Sequence, residues 1–296
     1  MEIYMEVIYI ILIIIGIIAQ NVSKKTYNLR GGAGAAFTFS AGSVLCACLF
    51  FIISGGFKFN FNPDVLPYAF GFALSYGMAV IFSFLAIKYG SLSLTSLITS
   101  YSLIIPAFYG ILFLDEPVSV ILYLGLAALM ISLFLVNYKP KKNDDLAKNE
   151  KGRVAPKWFL FVALSFIGNG ACSTVQTVHQ KTFNGQYKNE LMICALVMVF
   201  ITMATLALIT ERKNAPTAIK RSGWLMVITG CFNGMVNLLV MVCAVTMSAS
   251  VMFPLMSAGG IIGTALVSIL FYKEKLTKMQ YVGFVLGILA IVLLNI

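Results

Sequence analysis

The segment ILFLDEPVSVILYLGLAALMISLFLVN, residues 111–137, aligns without a gap on ILFYKEKLTKMQYVGFVLGILAIVLLN, residues 269–295, when the chain is shifted by 158 positions. The shift pairs Glu116 with Glu274, Tyr123 with Tyr281, Gly125 with Gly283 and Asn137 with Asn295. Leu and Ile coincide readily between any two apolar helices, so the paired polar residues and glycines carry the match. A shorter echo sets QNVSKKTYN from Gln20 against QTVHQKTFN from Gln176, pairing Lys25 with Lys181 and Asn28 with Asn184. Self-similarity at a long fixed shift marks a duplicated architecture. The first copy occupies 1–137 and the second 157–296, separated by the basic polar linker 138–156 with Pro140 and Pro156 near its ends.

Around this repeat the composition excludes a water-soluble domain. Hydrophobic residues make up 60% of the 296 residues and charged ones only 11%, with a mean hydropathy of +0.93; soluble domains carry about 25% charged residues. A helix crossing the hydrocarbon layer needs about 20 mostly apolar residues. Stretches of that kind lie at 3–21, 34–54, 66–87, 91–113, 118–137, 157–178, 189–209, 223–245, 249–271 and 277–295. The expected fold is therefore an all-α integral membrane protein with ten transmembrane helices. The first stretch has no basic region before it and no small-residue cleavage site after it, which reads as a retained helix rather than a signal peptide.

The net charge of +10 does not point to nucleic acid, because the basic residues are spread among interhelical loops. With ten spans, the loops after helices 1, 3, 5, 7 and 9 hold 18 Lys and Arg, and the remaining loops and termini hold 3. The positive-inside rule then puts the first set in the cytoplasm and both termini outside. All six cysteines, Cys46, Cys48, Cys172, Cys194, Cys231 and Cys243, fall in apolar stretches without metal-ligand spacing and are expected as free thiols.

Five helices per copy is an odd number, so the second copy enters the membrane in the opposite sense. Two inverted five-helix repeats are a recurrent plan for secondary transporters, since exchanging the conformations of two similar halves turns an outward-open state into an inward-open one. The units LFLDEPVSVILYLG (112–125) and LFYKEKLTKMQYVG (270–283) resemble the drug/metabolite transporter superfamily, in particular its ten-helix EamA branch. That resemblance implies an exporter of an amino acid, a related metabolite or a drug-like compound, in the plasma (inner) membrane of a bacterium. It also implies cytosolic termini, opposite to the charge count.

An ionisable group inside hydrocarbon is a functional suspect because its insertion costs about 2.5–3.5 kcal/mol. Among acidic residues Glu6 falls within a span, in its first turns. Lys25, with Lys181 at the same place in the second copy, is a candidate contact for an anionic substrate group or a side chain reaching for the headgroups. His179, the single histidine, is the candidate for proton coupling. Neutral polar residues inside spans supply the other candidate substrate ligands: Gln20, Tyr76, Tyr101, Asn169, Gln176, Asn233 and Asn237. Asn233 and Asn237 share a helical face, as do Asn169 and Gln176 two turns apart. Buried amides must find partners in lipid, so these faces line a cavity or join helices. Glu116 and Glu274 sit in tight turns, where a carboxylate meets the positive end of the following helix. Gly230/Gly234, Gly259/Gly263 and Gly283/Gly287 have the spacing of close helix crossings, and Pro106 and Pro254 interrupt helices 4 and 9.

No cluster of acids, bases or metal ligands can be assembled, which argues against a membrane-embedded enzyme, and no phosphate-cradling loop argues for ATP-driven transport. Neither a metal nor a cofactor is expected. A flippase for lipid or lipid-linked sugar is the closer alternative. The expected partners are a small-molecule substrate and membrane lipid, with the chain acting as a monomer or a homodimer. The substrate site is expected at the membrane midplane between the halves.

Overall fold

The computed structural model of the chain describes residues 2–30, 34–89, 95, 98–99, 101–116, 119–137, 156–272 and 278–293. Glu274, Asn295 and the linker up to residue 155 lie outside the described residues. Within them the chain is helical, without strands: α1 (Glu2–Leu29), α2 (Ala36–Ser54), α3 (Leu66–Tyr89), α4 (Ile104–Phe113), α5 (Val120–Asn137), α6 (Pro156–Thr182), α7 (Lys188–Thr210), α8 (Ala215–Thr246), α9 (Ala249–Tyr272) and α10 (Lys278–Leu293). Among the described residues, six segments are long and apolar enough to cross a membrane: Tyr4–Leu29, Ala36–Ser54, Pro63–Ala86, Pro156–Thr182, Lys188–Thr210 and Ala215–Thr246. Four more, Tyr101–Phe113, Val120–Ser132, Ala249–Thr264 and Tyr281–Ala290, are apolar and shorter. Leu49, Ile201, Leu208 and Val285 are exposed at 48–68%, a surface that suits lipid and not water.

Several helices differ from their sequence bounds, for local reasons. α1 continues past Asn21 to Leu29, because no helix breaker intervenes, so Lys24 and Lys25 are helical and not in a loop. α6 continues past residue 178 and takes in His179 and Lys181. It stops where Asn184 (φ 48°) and Gly185 (φ 77°) turn left-handed, the usual way to close a helix C-terminus. α8 begins at Ala215, ahead of the expected 223, and bends at Ser222, whose φ of −140° is non-helical. Within the expected fourth span, 91–113, residues 91–94, 96–97 and 100 lie outside the described residues, and a 3-10 turn, Tyr101–Leu103, leads into α4. Pro106 explains it, since proline has no N–H to bond the Ser102 carbonyl.

The chain forms two units, each drawing on both halves of the sequence. The first comprises Met1–Gly77 and Val175–Thr246, the second Met78–Thr174 and Met247–Ile296. In the first, α2 packs against α7 and α8, and α1 against α8. A Cβ at Gly230 would overlap the Ser43 carbonyl oxygen and the Cys46 Cβ, and one at Gly234 would lie 2.6 Å from the Phe50 ring. The two glycines thus let α8 approach α2 backbone to backbone, and dispersion rather than water exclusion holds such a crossing in lipid. Cys46 faces α8 there, and all six cysteines are free thiols.

In the second unit α4 packs on α9 and α5 on α10. Leu122, Leu126 and Leu129 of α5 form one cluster with Leu255 and Ala258 of α9 and Ala290 of α10. Ser132 Oγ donates to the Gly283 carbonyl at 2.7 Å across the α5–α10 contact. Asn169 Nδ2 donates to Ser102 Oγ, and Gly170 leaves room beside it for the carbonyl that Pro106 frees.

Candidate functional site

Four amides in the first unit form one directional chain. Gln176 Nε2 on α6 donates to Asn237 Oδ1 on α8 at 2.8 Å. Asn237 Nδ2 donates to the Asn233 carbonyl at 2.8 Å and to Asn233 Oδ1 at 3.2 Å. Asn233 Nδ2 in turn donates to Gln20 Oε1 on α1 at 3.2 Å. The helical spacing of four residues stacks the two asparagines on one face of α8, and the glutamines reach them from either side. Gln20 and Gln176, the residues matched by the shorter internal echo, therefore stand at opposite ends of the same chain. They are 7% and 3% exposed, whereas the asparagines between them are half-buried.

The chain is neutral and offers both donors and acceptors. Each amide keeps capacity beyond the bonds it makes here, since an amide group has two N–H donors and two carbonyl lone pairs. A solute rich in hydroxyls could exchange bonds with it without bringing a charge into the membrane.

The other candidates are placed differently. Tyr76 on α3 is half-buried and stacks on Phe72, with ring centroids 6.1 Å apart. Lys25 and Lys181 are half-buried on α1 and α6, outside the amide chain. Tyr101 and Asn169 belong to the second unit, where the Tyr101 hydroxyl lies 3.5 Å from the Met130 carbonyl and Asn169 is engaged by Ser102. Asn169 and Gln176 share a helix without sharing partners.

His179 is fully buried in the first unit between the rings of Tyr68 and Phe183, at centroid distances of 5.3 and 4.7 Å. Its Nδ1 pairs with Gln180 Nε2 at 2.8 Å, while its Nε2 and the Gln180 Oε1 are buried without a hydrogen-bond partner among the described residues. An amide nitrogen can only donate, so Nδ1 accepts and the neutral ring carries its proton on Nε2.

Two carboxylates do structural work. Glu116, 6% exposed, accepts the Ala249 N–H at 2.7 Å and the Ser250 N–H at 2.9 Å. These are the first residues of α9, a helix end more than 130 positions away, whereas the sequence points to the following helix, α5. Glu211, absent from the sequence candidates, is 5% exposed just past α7 and accepts from the first turn of α2: the Phe37 N–H at 2.9 Å, the Thr38 N–H at 2.7 Å and the Thr38 hydroxyl at 2.8 Å. Its signal was faint, a lone acid inside the basic run ERK at 211–213.

Comparisons with known proteins agree with a membrane transporter. A solved structure described only as "Crystal structure of protein" superposes with a TM-score of 0.77 over 98% of this chain and 96% of that one, at 11% identity, which shows a shared fold and nothing finer. No curated protein matches the chain. The family model described as "Sugar transport protein" matches residues 37–296. With multi-pass helices and a match over most of its length, the chain belongs to the sugar transport protein family of membrane transporters.

Proposed function

We propose that the chain is a secondary transporter of a neutral polyhydroxylated solute, a sugar or polyol, working by alternating access. The observation that carries the reading is the amide chain Gln20–Asn233–Asn237–Gln176. Neutral amides match hydroxyl groups in both directions, and the family description points to the same class of solute. On this reading ten spans make two inverted five-helix repeats of the EamA kind, and the two glutamines are the same repeat position brought to one solute from opposite sides. The protein resides in the plasma membrane of a bacterium.

A second reading, export of an amino acid or related metabolite, is favoured by Lys25 and Lys181, repeat-matched cations that suit a carboxylate. Proteoliposomes preloaded with unlabelled solute and exposed to a labelled trace separate the two. Counterflow is expected with neutral hexoses, pentoses or polyols and not with amino acids, and Gln176→Ala or Asn237→Ala is expected to reduce it at least tenfold. Counterflow of amino acids alone, undiminished in Asn237→Ala, would overturn the first reading and leave the second. His179→Gln tests proton coupling in the same vesicles: loss of the pH dependence of uptake supports it, and an unchanged pH profile removes it.

A further inference from the structure

At one end of the first unit, well along α1 and α8 from the amides, a cleft of about 150 Å³ is lined by Arg30, Ala35, Asn214, Thr217, Ala218, Arg221 and Ser222. Three pieces of chain build it. Arg30 follows the last residue of α1, Ala35 precedes α2, and the rest belong to the turn and first helical stretch up to the bend of α8 at Ser222. The bend sets Arg221 at the end of this short stretch.

The cleft is cationic and its charge is not answered. Two guanidiniums line it and no carboxylate does. The acid nearest in sequence, Glu211, is spent on the α2 backbone and is 5% exposed. Neither Arg30 nor Arg221 has an ion-pair partner among the described residues. Arg30 is exposed and makes a cation–π contact, its guanidinium carbon 5.3 Å from the centroid of the Trp224 ring. Asn214 donates through Nδ2 to the Gly34 carbonyl at 3.2 Å. Guanidinium groups recognise oxyanions through paired N–H donors, and a planar fork fits phosphate better than a point charge does.

We propose that this cleft is a binding site for a phosphate-type oxyanion held between Arg30 and Arg221, with Thr217 as a neutral donor. The phosphate group comes either from an anionic lipid at the membrane surface or from solution. Both α1 and α8 carry members of the amide chain, so an anion bridging their ends would tie together two helices of the solute site.

The test uses the full chain in phosphatidylcholine nanodiscs with Trp158→Phe, leaving Trp224 as the single tryptophan. Emission and melting midpoint are followed while inorganic phosphate replaces chloride at constant ionic strength, and separately while phosphatidylglycerol replaces phosphatidylcholine. A saturable change is expected in at least one arm, weakened tenfold or more by Arg221→Gln and by Thr217→Glu, and altered less than twofold by Lys213→Gln, a basic residue outside the cleft. A response to phosphate in the zwitterionic disc assigns the soluble anion, and a response to phosphatidylglycerol alone assigns the lipid headgroup. No response of either readout in either arm, or an equal loss in Lys213→Gln, overturns the proposal. Thr217→Glu keeps both arginines, so its loss of binding does not depend on how Arg221→Gln folds.

Discussion

The junction at Glu116 in the second unit and the junction at Glu211 in the first solve one problem with one device. In each, a buried carboxylate just beyond a helix C-terminus accepts two consecutive backbone N–H groups that open another helix: α4 to α9 through Glu116, α7 to α2 through Glu211. Those N–H groups have no intrahelical partner, and a membrane interior supplies no water to replace one. The surroundings differ. Glu116 is wedged against Gly110, where an added Cβ would come within 2.5–2.9 Å of all three carboxylate heavy atoms. Glu211 has a hydroxyl as well, stands three residues before Asn214 and bonds Phe37, two residues after Ala35; Asn214 and Ala35 line the polar cleft. The same bonds need not have the same worth: one junction is sealed by packing and the other stands beside a polar cleft.

The largest loss is expected from Glu116→Ala. It leaves two buried donors unsatisfied, each worth about 1–3 kcal/mol, and is expected to lower the melting midpoint in detergent the most of any change named here. Glu211→Ala removes three bonds and is nevertheless expected to cost less, because water from the neighbouring cleft can follow into the space that the deletion opens. Equal losses would show that the cleft does not hydrate the α2 end. Gly110→Ala tests the packing side. The added methyl must push the Glu116 carboxylate from α9 at a cost of about 1–3 kcal/mol, and combining it with Glu116→Ala is expected to add little. The smallest effect belongs to Thr38→Val, which deletes only the third bond at Glu211, for about 1 kcal/mol, with Thr38→Ser keeping wild-type stability.

Much of the helix pattern was legible in the chain because each membrane helix satisfies its backbone within itself. Apolar length alone therefore marks Ala36–Ser54 or Lys188–Thr210. Boundaries were less legible where a polar side chain continues a helix, as Lys24, Lys25 and His179 do, since charge reads as loop even when the backbone is unbroken. The amides Gln20, Gln176, Asn233 and Asn237 could be picked out because an amide in lipid must be paired. Their order in one chain could not be read, because it depends on how three helices are rotated. Nor could the destination of the Glu116 carboxylate, since the nearest positive helix end in sequence is α5 and the bonded one is α9.

By itself the sequence determined that the chain is helical and belongs in a membrane, which follows from local apolar length, and the residues matched at a shift of 158 raised the expectation of a repeat. Only the tertiary structure decided which polar groups meet. Glu116 finds its donors 133 and 134 positions away, Glu211 finds its own at 173 and 174, and Asn233 finds Gln20 at 213. Inside a helix the backbone demands are met a turn away and so are written locally, unlike those of the N–H groups that open α2 and α9. A buried side chain takes whichever partner packing brings to it, and packing is a property of the whole chain.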